Sequence, residues 1–135
     1  MKRLQLAAGL LMTFAFARLE AQTIDLGATI PFEFRVGQTV MAAGDYTIHH
    51  SNGLLILRSE NGGNAVMSLA IATDIPKNSS AAGLLFHRYG GTYFLDTVWT
   101  PGNANARAVP KSSLEKELAR RGGPDEDPNI VLQTK

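Results

Sequence analysis

The clearest pattern in the chain is an alternation of apolar and polar positions over residues 30–36. The segment reads IPFEFRV and places a large apolar side chain at every second position. Because successive side chains of a strand point to opposite faces, this alternation predicts a strand with one buried face. Pro31 has no N–H for a strand ladder, so we expect it at the start of the strand or on an edge.

A hairpin is indicated by Asn52-Gly53, which separates the strand-like segments Tyr46–Ser51 and Leu54–Ser59. Both central residues of a type I′ turn need positive φ angles, which Asn and Gly tolerate. A two-residue turn places Ser51 opposite Leu54 and His49 opposite Ile56. The face that we predict to be buried carries Tyr46, Ile48, Leu55 and Leu57.

Gly90-Gly91 indicates a second hairpin, between Gly83–Tyr89 and Thr92–Thr100. Both of its faces are substantially apolar, so we expect this hairpin to be the central part of the domain. With a two-residue turn, one face is predicted to carry Leu84, Phe86, Arg88, Tyr93, Leu95, Thr97 and Trp99. The other face is predicted to carry Leu85, His87, Tyr89, Thr92, Phe94, Asp96 and Val98.

Between the hairpins, Ala65–Ala72 is predicted to be one further strand, with Met67, Leu69 and Ile71 on one side. Residues 73–82 are rich in Pro, Asn and Ser, a composition typical of a surface loop.

Near the C-terminus the period of the pattern changes from a strand period to a helical one. Ser112 and Glu115 form a capping box, Leu114 and Leu118 form a narrow apolar stripe, and GGP at 122–124 ends the helix. A helix of about nine residues is too short to be stable alone in water. Leu114 and Leu118 are therefore predicted to pack on the sheet or to dock on a partner chain.

Short strands separated by frequent turns predict a mainly β fold, either a small antiparallel barrel or a sandwich, built as a meander of hairpins with one short C-terminal helix. We favour the barrel, because a closed barrel leaves no strand edge unpaired. The predicted domain spans residues 22–123. Residues 124–135 form an acidic tail that is either frayed or a late-added strand.

The first residues have the order of a secretory signal peptide. Lys2 and Arg3 precede an apolar run over residues 4–16, and small residues then allow cleavage after Ala21 or, alternatively, after Ala17. The competing interpretation is a membrane anchor, but a helix of this run would reach only about 20 Å, against roughly 30 Å of hydrocarbon. We therefore expect residues 1–21 to be removed, leaving an exported domain, periplasmic or extracellular, with no membrane span.

Removal of the signal changes the charge. The chain has 13 Lys and Arg against 12 Asp and Glu, and residues 1–21 contain three of the former and one of the latter. The mature chain then carries one net negative charge and no basic stripe, so nucleic acid is an unexpected partner. There is no cysteine, which excludes thiol nucleophiles, lipid attachment through cysteine and cysteine-based zinc sites.

The three histidines are the candidates for chemistry. His49 and His50 are adjacent on a strand and therefore point to opposite faces, so we predict no shared metal ion, a solvated His49 and a His50 at the edge of the core. His87 is more informative, because Asp96 is its diagonal neighbour in the predicted hairpin. An aspartate that orients a histidine is half of a general-base arrangement. No G-x-S-x-G or H-E-x-x-H sequence accompanies it.

The aromatic residues of the central hairpin are a second candidate. Tyr89 and Phe94, together with His87 and Asp96, could line a ligand pocket, although aromatic residues at this density are more often part of a core. No cofactor and no metal site are predicted.

Several segments resemble a family of small secreted proteins found mainly in acidobacteria. They read IPFEFRVG at 30–37, AGDYTI at 43–48, LFHRYGGTYFL at 85–95 and KSSLEKELA at 111–119. The resemblance covers most of residues 22–121, with one departure at Met41-Ala42, where related chains often carry Leu-Pro. It implies bacterial export and a compact β domain. The family has no established activity, so the resemblance implies no site residues.

These observations favour a non-enzymatic exported β domain that acts by binding or assembly in the cell envelope. The expected partner is an envelope protein, a glycan or a small apolar ligand. One alternative is a carrier that holds a small apolar ligand in a barrel cavity. The other is a hydrolase or metal site built on His87 and Asp96.

Overall fold

The computed structural model describes residues 24–77, 81–123 and 129–133. The described residues are mainly β, with two sheets and one short helix near the C-terminus. In chain order the elements are β1 (Ile24–Ile30), β2 (Phe34–Val36), β3 (Thr39–Met41), β4 (Gly44–Ser51), β5 (Leu54–Ser59), β6 (Ala65–Leu69), β7 (Ile71–Thr73), β8 (Gly83–Tyr89), β9 (Thr92–Trp99), β10 (Ala106–Ala108), α1 (Ser113–Arg121) and β11 (Asn129–Gln133).

Sheet A is antiparallel and has the strand order β1-β4-β5-β6. Its β4–β5 hairpin has the predicted register, with Ser51 opposite Leu54 and His49 opposite Ile56. The turn residues Asn52 and Gly53 have φ angles of 52° and 78°, as a type I′ turn requires. The predicted buried face is confirmed, since Tyr46, Ile48, Leu55 and Leu57 are each at most 1% exposed.

Sheet B has the order β11-β8-β9-β10-β7. β2 joins it by pairing in parallel with the first half of β9, and β3 pairs with β2. This parallel pair departs from the antiparallel meander that we predicted. Residues 129–133, left open as tail or strand, form the edge strand β11 against β8.

The chain crosses between the sheets at two places where a single strand was predicted. The strand expected over residues 30–36 is divided at Pro31: Ile30 ends β1 in sheet A, and Phe34 begins β2 in sheet B. Proline cannot continue the ladder, so the division falls where a donor is missing. The predicted strand Ala65–Ala72 is likewise divided at Ala70, between β6 of sheet A and β7 of sheet B.

The β8–β9 hairpin follows the predicted register only from its turn to the Phe86–Leu95 pair. Beyond that pair the register shifts by one residue, so that Leu85 pairs with Thr97. Asp96 is the extra residue of this β-bulge. A shift of one residue exchanges the two faces of a strand, and the predicted faces of residues 97–99 are therefore wrong.

The bulge directs Val98 into the core and Trp99 to the opposite face. Trp99 pairs with Gly83, and a Cβ atom on that glycine would lie 2.4 Å from the indole ring. The indole N–H donates a hydrogen bond of 2.9 Å to the carbonyl oxygen of Ala81. Trp99 thus shares a face with Phe94, contrary to the prediction.

The two sheets share one hydrophobic core, as in a sandwich, and over the described residues they do not close into the barrel that we favoured. Phe34 stands at its centre, with its ring edge-on to those of Tyr46 (5.3 Å between centroids) and Phe86 (5.6 Å). The core cluster comprises Ile24, Ala28, Ile30, Phe34, Val36, Met41, Tyr46, Ile48, Leu55, Leu57, Leu84, Phe86, Leu95, Val98 and Val109.

Within the described ranges, none of the helical structure is long and apolar enough to cross a bilayer. The predicted signal peptide, residues 1–21, and part of the predicted loop, residues 78–80, lie outside the described residues.

Candidate functional site

The helix α1 has the predicted bounds, but it presents a different side to the sheet. Ser112 is its N-cap and accepts a hydrogen bond of 3.1 Å from the Glu115 N–H, as the capping box predicts. Its buried residue is Glu115, only 3% exposed, whereas Leu114 is 39% exposed. One residue corresponds to about 100° of rotation around the helix. The side of α1 that faces the sheet therefore carries Glu115, one position after Leu114, where the predicted apolar stripe begins.

Glu115 meets a group of polar side chains on the hairpin, which we call the His87 cluster: His87, Tyr89, Asp96, Lys111 and Glu115. The Oε2 atom of Glu115 accepts a hydrogen bond of 3.1 Å from the Tyr89 hydroxyl and lies 3.4 Å from His87 Nδ1. His87 Nδ1 is also 3.6 Å from Asp96 Oδ1. The Lys111 ammonium is 3.5 Å from Glu115 and 3.8 Å from Asp96.

The predicted proximity of His87 and Asp96 is therefore present. Both side chains are 19% exposed, while that of Glu115 is 4% exposed. Glu115 was expected only as a capping residue, and no local signal in the sequence marks it as the partner of a histidine 28 positions away.

The electrostatics of the cluster follow from burial and pairing. Burial alone would raise the pKa of Glu115, but hydrogen bonding to His87 and the charge of Lys111 outweigh it and lower that pKa below its ordinary value. Burial, together with the charge of Glu115, raises the pKa of Tyr89 to about 12. The tyrosine hydroxyl therefore stays protonated at neutral pH and donates a hydrogen bond to the Glu115 carboxylate.

The hydroxyl groups closest to the cluster along the chain are already engaged. Thr97 Oγ1 donates a hydrogen bond of 2.6 Å to Asp96 Oδ2, and Ser112 Oγ serves as the helix cap. Among the described residues, no group of three or more His, Asp or Glu has the arrangement of a metal site. What the cluster visibly does is join α1 to the hairpin through charge-assisted contacts.

Phe94, the remaining candidate on this face, is 1% exposed and packs edge-on against the Tyr89 ring, with 5.7 Å between centroids. It lies beside the His87 cluster as part of the packing. An open groove of about 280 Å³ lies elsewhere on the hairpin, lined by residues 32–35 and 91–93. There Phe32 stacks on Tyr93 at 3.9 Å.

His49 and His50 point to opposite faces, as predicted. The side chain of His49 is 47% exposed, and its Nδ1 lies 2.6 Å from Asp25 Oδ1. His50 is 2% exposed and lies on the core face of β4. The two histidines are therefore not placed to share an ion.

The two residues of α1 that we predicted to dock on a partner, Leu114 and Leu118, differ in their exposure. Leu114 is exposed and Leu118 is half-buried. A larger apolar surface lies on sheet A, where Met67 and Leu69 are 60% and 66% exposed. Their cross-strand neighbours Ile56 and Leu54 are half-buried. We call these four residues the β5–β6 patch: Leu54, Ile56, Met67 and Leu69.

Two residues further on, Ile71 adds another apolar side chain that is 57% exposed. The sequence placed Met67, Leu69 and Ile71 on one side of a strand but gave no indication that this side faces solvent. Residues 62–73 carry no charge, which is as typical of a buried strand as of an exposed apolar one.

The comparisons with known proteins give no relatives: no known protein family matches the chain, and neither a curated protein nor a solved structure is similar enough to be matched.

Proposed function

We propose that the mature chain is an exported, non-enzymatic β domain that acts by binding or assembly in the cell envelope, with the β5–β6 patch as its contact surface. Export rests on the signal-like order of residues 1–21 and on the resemblance to small secreted proteins.

The observation that carries the proposal is the exposure of Met67 and Leu69, 60% and 66%, on the last strand of sheet A. Isolated apolar residues on a surface are ordinary, but neighbouring ones that form a patch mark interaction surfaces. Met67 and Leu69 stand directly opposite Ile56 and Leu54, which makes the patch contiguous.

The His87 cluster supports this proposal by what its groups already do. Glu115 accepts from Tyr89, Asp96 accepts from Thr97, and Lys111 lies within 4 Å of both carboxylates. Each acidic group thus already has a hydrogen-bond donor and lies near the Lys111 ammonium. A catalytic site would need a nucleophile or a ligand position beside His87, and the hydroxyls of Thr97 and Ser112 are engaged in other bonds.

The carrier alternative requires a cavity between the central hairpin and residues 30–36. In that place Phe34 contacts the rings of Phe86 and Tyr46, and each of the three side chains is at most 1% exposed. Side chains therefore occupy the space that a carrier would keep for its ligand.

The test is photocrosslinking in the organism of origin, with a photoreactive phenylalanine analogue in place of Leu69. We expect one adduct of defined mass, and we expect the additional substitution Met67→Lys to abolish it because a charge in the patch opposes apolar contact. The matched control carries the analogue at Val40, which is also exposed, at 44%, but lies on β3 of sheet B.

Equal adducts at positions 40 and 69, or none at 69, would overturn the proposal. Native mass spectrometry of the purified protein provides a second arm. A small molecule that stays bound until the protein unfolds would replace the proposal with the carrier function.

A further inference from the structure

The outer edge of β6 has backbone groups directed away from its own sheet. The Ala70 N–H donates to Gly53 O at 2.9 Å, and Asn64 O accepts from Ser59 N at 2.8 Å. Even-numbered residues therefore direct their backbone groups towards β5. Because the direction alternates along an antiparallel strand, Ala65, Met67 and Leu69 direct their N–H and C=O groups to the opposite side, where the described residues place no further strand.

This edge lacks the features that normally protect an exposed strand. Natural edge strands carry charges, prolines or bulges that prevent pairing with another chain. The β6 sequence is AVMSL, and no charged residue occurs from Gly62 to Thr73. The opposite edge of sheet A is different, since β1 carries Asp25 with a 73% exposed side chain.

We propose that β6 pairs antiparallel with β6 of a second copy of this chain, about a twofold axis at Met67. This inference rests on the proposed function, of which it names the partner. The two four-stranded sheets would join into one continuous sheet. Met67 would face Met67 of the second copy, and Ala65 would face Leu69 of the second copy, so that the β5–β6 patches of both copies become adjacent.

The absence of charge makes β6 suited to pair with a second copy of itself. A twofold axis places each residue near its own equivalent, so any charge on the strand would face a like charge. β6 has none. Met67 is the central residue of the strand, and both of its backbone groups point to the edge. Two copies can therefore exchange a pair of N–H···O bonds there without disturbing the β5–β6 ladder.

The first test is sedimentation of the mature chain, residues 22–135, from low micromolar to submillimolar concentration. Met67→Pro removes the N–H that points out of the sheet, and Met67→Lys places two ammonium groups at the axis. We expect the wild type and the control Val40→Lys to form dimers and both Met67 variants to be monomers. Fluorescence of Trp99, in the other sheet, verifies that each variant is folded.

A wild type that stays monomeric over this range, or dimers that persist in both Met67 variants, would overturn the inference. A monomer that still gives the Leu69 adduct in cells, at the mass of a different protein, would overturn only the self-association. The proposed function would then stand with another partner.

A second test determines the register in which the two β6 strands pair. Because the chain has no cysteine, a single introduced cysteine can form a disulfide only with its equivalent in the second copy. The Cα atoms of a hydrogen-bonded antiparallel pair are about 5.5 Å apart, within the range that a disulfide spans. We expect Met67→Cys to form a disulfide-linked dimer on mild oxidation, and Thr47→Cys, exposed on β4 of the same sheet, to stay monomeric. A dimer in which Cys at position 67 fails to link would contradict pairing about Met67.

Discussion

At the scale of single residues, the contact between Gly83 and Trp99 shows how closely the second face of the hairpin is packed. Trp99 is 1% exposed, and its indole ring lies over β8 at Gly83, which leaves room for the ring because it has no side chain. Protein interiors have little free volume, so one additional methyl group has a measurable cost there.

Gly83→Ala is expected to destabilise the protein by about 1–3 kcal/mol, because the new methyl group would lie 2.4 Å from the indole ring and the tryptophan would have to move. Urea unfolding followed by Trp99 fluorescence measures the loss. Gly27→Ala is the matched control: it is also in a strand, nothing lies within 4 Å of its new Cβ, and we expect an unchanged or slightly higher stability. Equal effects of the two substitutions would contradict the packing described.

At the scale of elements, α1 is attached to the sheet by polar contacts as well as by packing. Its most buried residue is a glutamate, held by Tyr89, His87 and Lys111. A buried charge is tolerated only when such partners compensate for the lost hydration. The surface pairs of Glu117 with Arg120 and Arg121 are expected to contribute much less.

Glu115→Gln is expected to lower the free energy of unfolding at neutral pH by about 1–3 kcal/mol, because it removes the buried charge that Tyr89, His87 and Lys111 contact. The control is Glu117→Gln on the same helix, because the Glu117 side chain is 41% exposed and pairs only with surface arginines. We expect it to cost less than about 1 kcal/mol. Urea denaturation at several pH values measures both.

The pH dependence of this difference follows from the lowered pKa of Glu115. A carboxyl group whose pKa is lower in the folded state stabilises the protein above its ordinary value of 4.5, and this stabilisation is lost as the pH falls through the folded-state pKa. The difference between wild type and Glu115→Gln should therefore be largest near neutral pH and shrink below about pH 4.5. A difference that stays constant or grows in acid would show that the charge of Glu115 is not what holds the helix.

At the scale of the whole molecule, the two sheets are joined by crossings of the chain at Pro31, between β3 and β4, and at Ala70. Sheet B is completed by β11, which pairs with β8. β11 is itself the edge strand of sheet B, so β8 is protected from within the chain. The β6 edge of sheet A has no such cover among the described residues.

Deletion of residues 129–135 is expected to leave the fold in place but to increase amide hydrogen exchange in β8. Alternate amides of β8 would lose their β11 acceptors and be opened to solvent. Exchange measured by mass spectrometry should rise in Gly83–Tyr89 and stay unchanged in β4 and β5, which serve as the internal control. Unchanged exchange in β8 would mean that β11 does not protect this edge in solution.

The sequence alone predicted the register of a hairpin and the ends of the helix, because both depend on residues that are close together in the chain. The Asn52-Gly53 turn sets the register of β4 and β5, because both φ angles and the loop length are fixed by two residues. With the register known, the alternation of apolar residues identifies the buried face. The bounds of α1 were likewise predicted from Ser112 and the glycines at 122–123, since caps act within one turn.

The tertiary structure decided what depends on distant residues. The bulge at Asp96, which turns Val98 inward, has no marker in the local sequence. The partner of Glu115 is 28 positions away, so a capping pattern could not reveal its burial. The same limit applies to β6, because the sequence of an apolar strand does not distinguish the centre of a sheet from its edge. Only the order of strands shows that β6 is an edge strand, and only the packing of the sheets shows that Met67 and Leu69 face solvent. Local sequence thus determined turns, registers and helix ends through short-range sterics, whereas long-range packing determined which faces meet and which stay exposed.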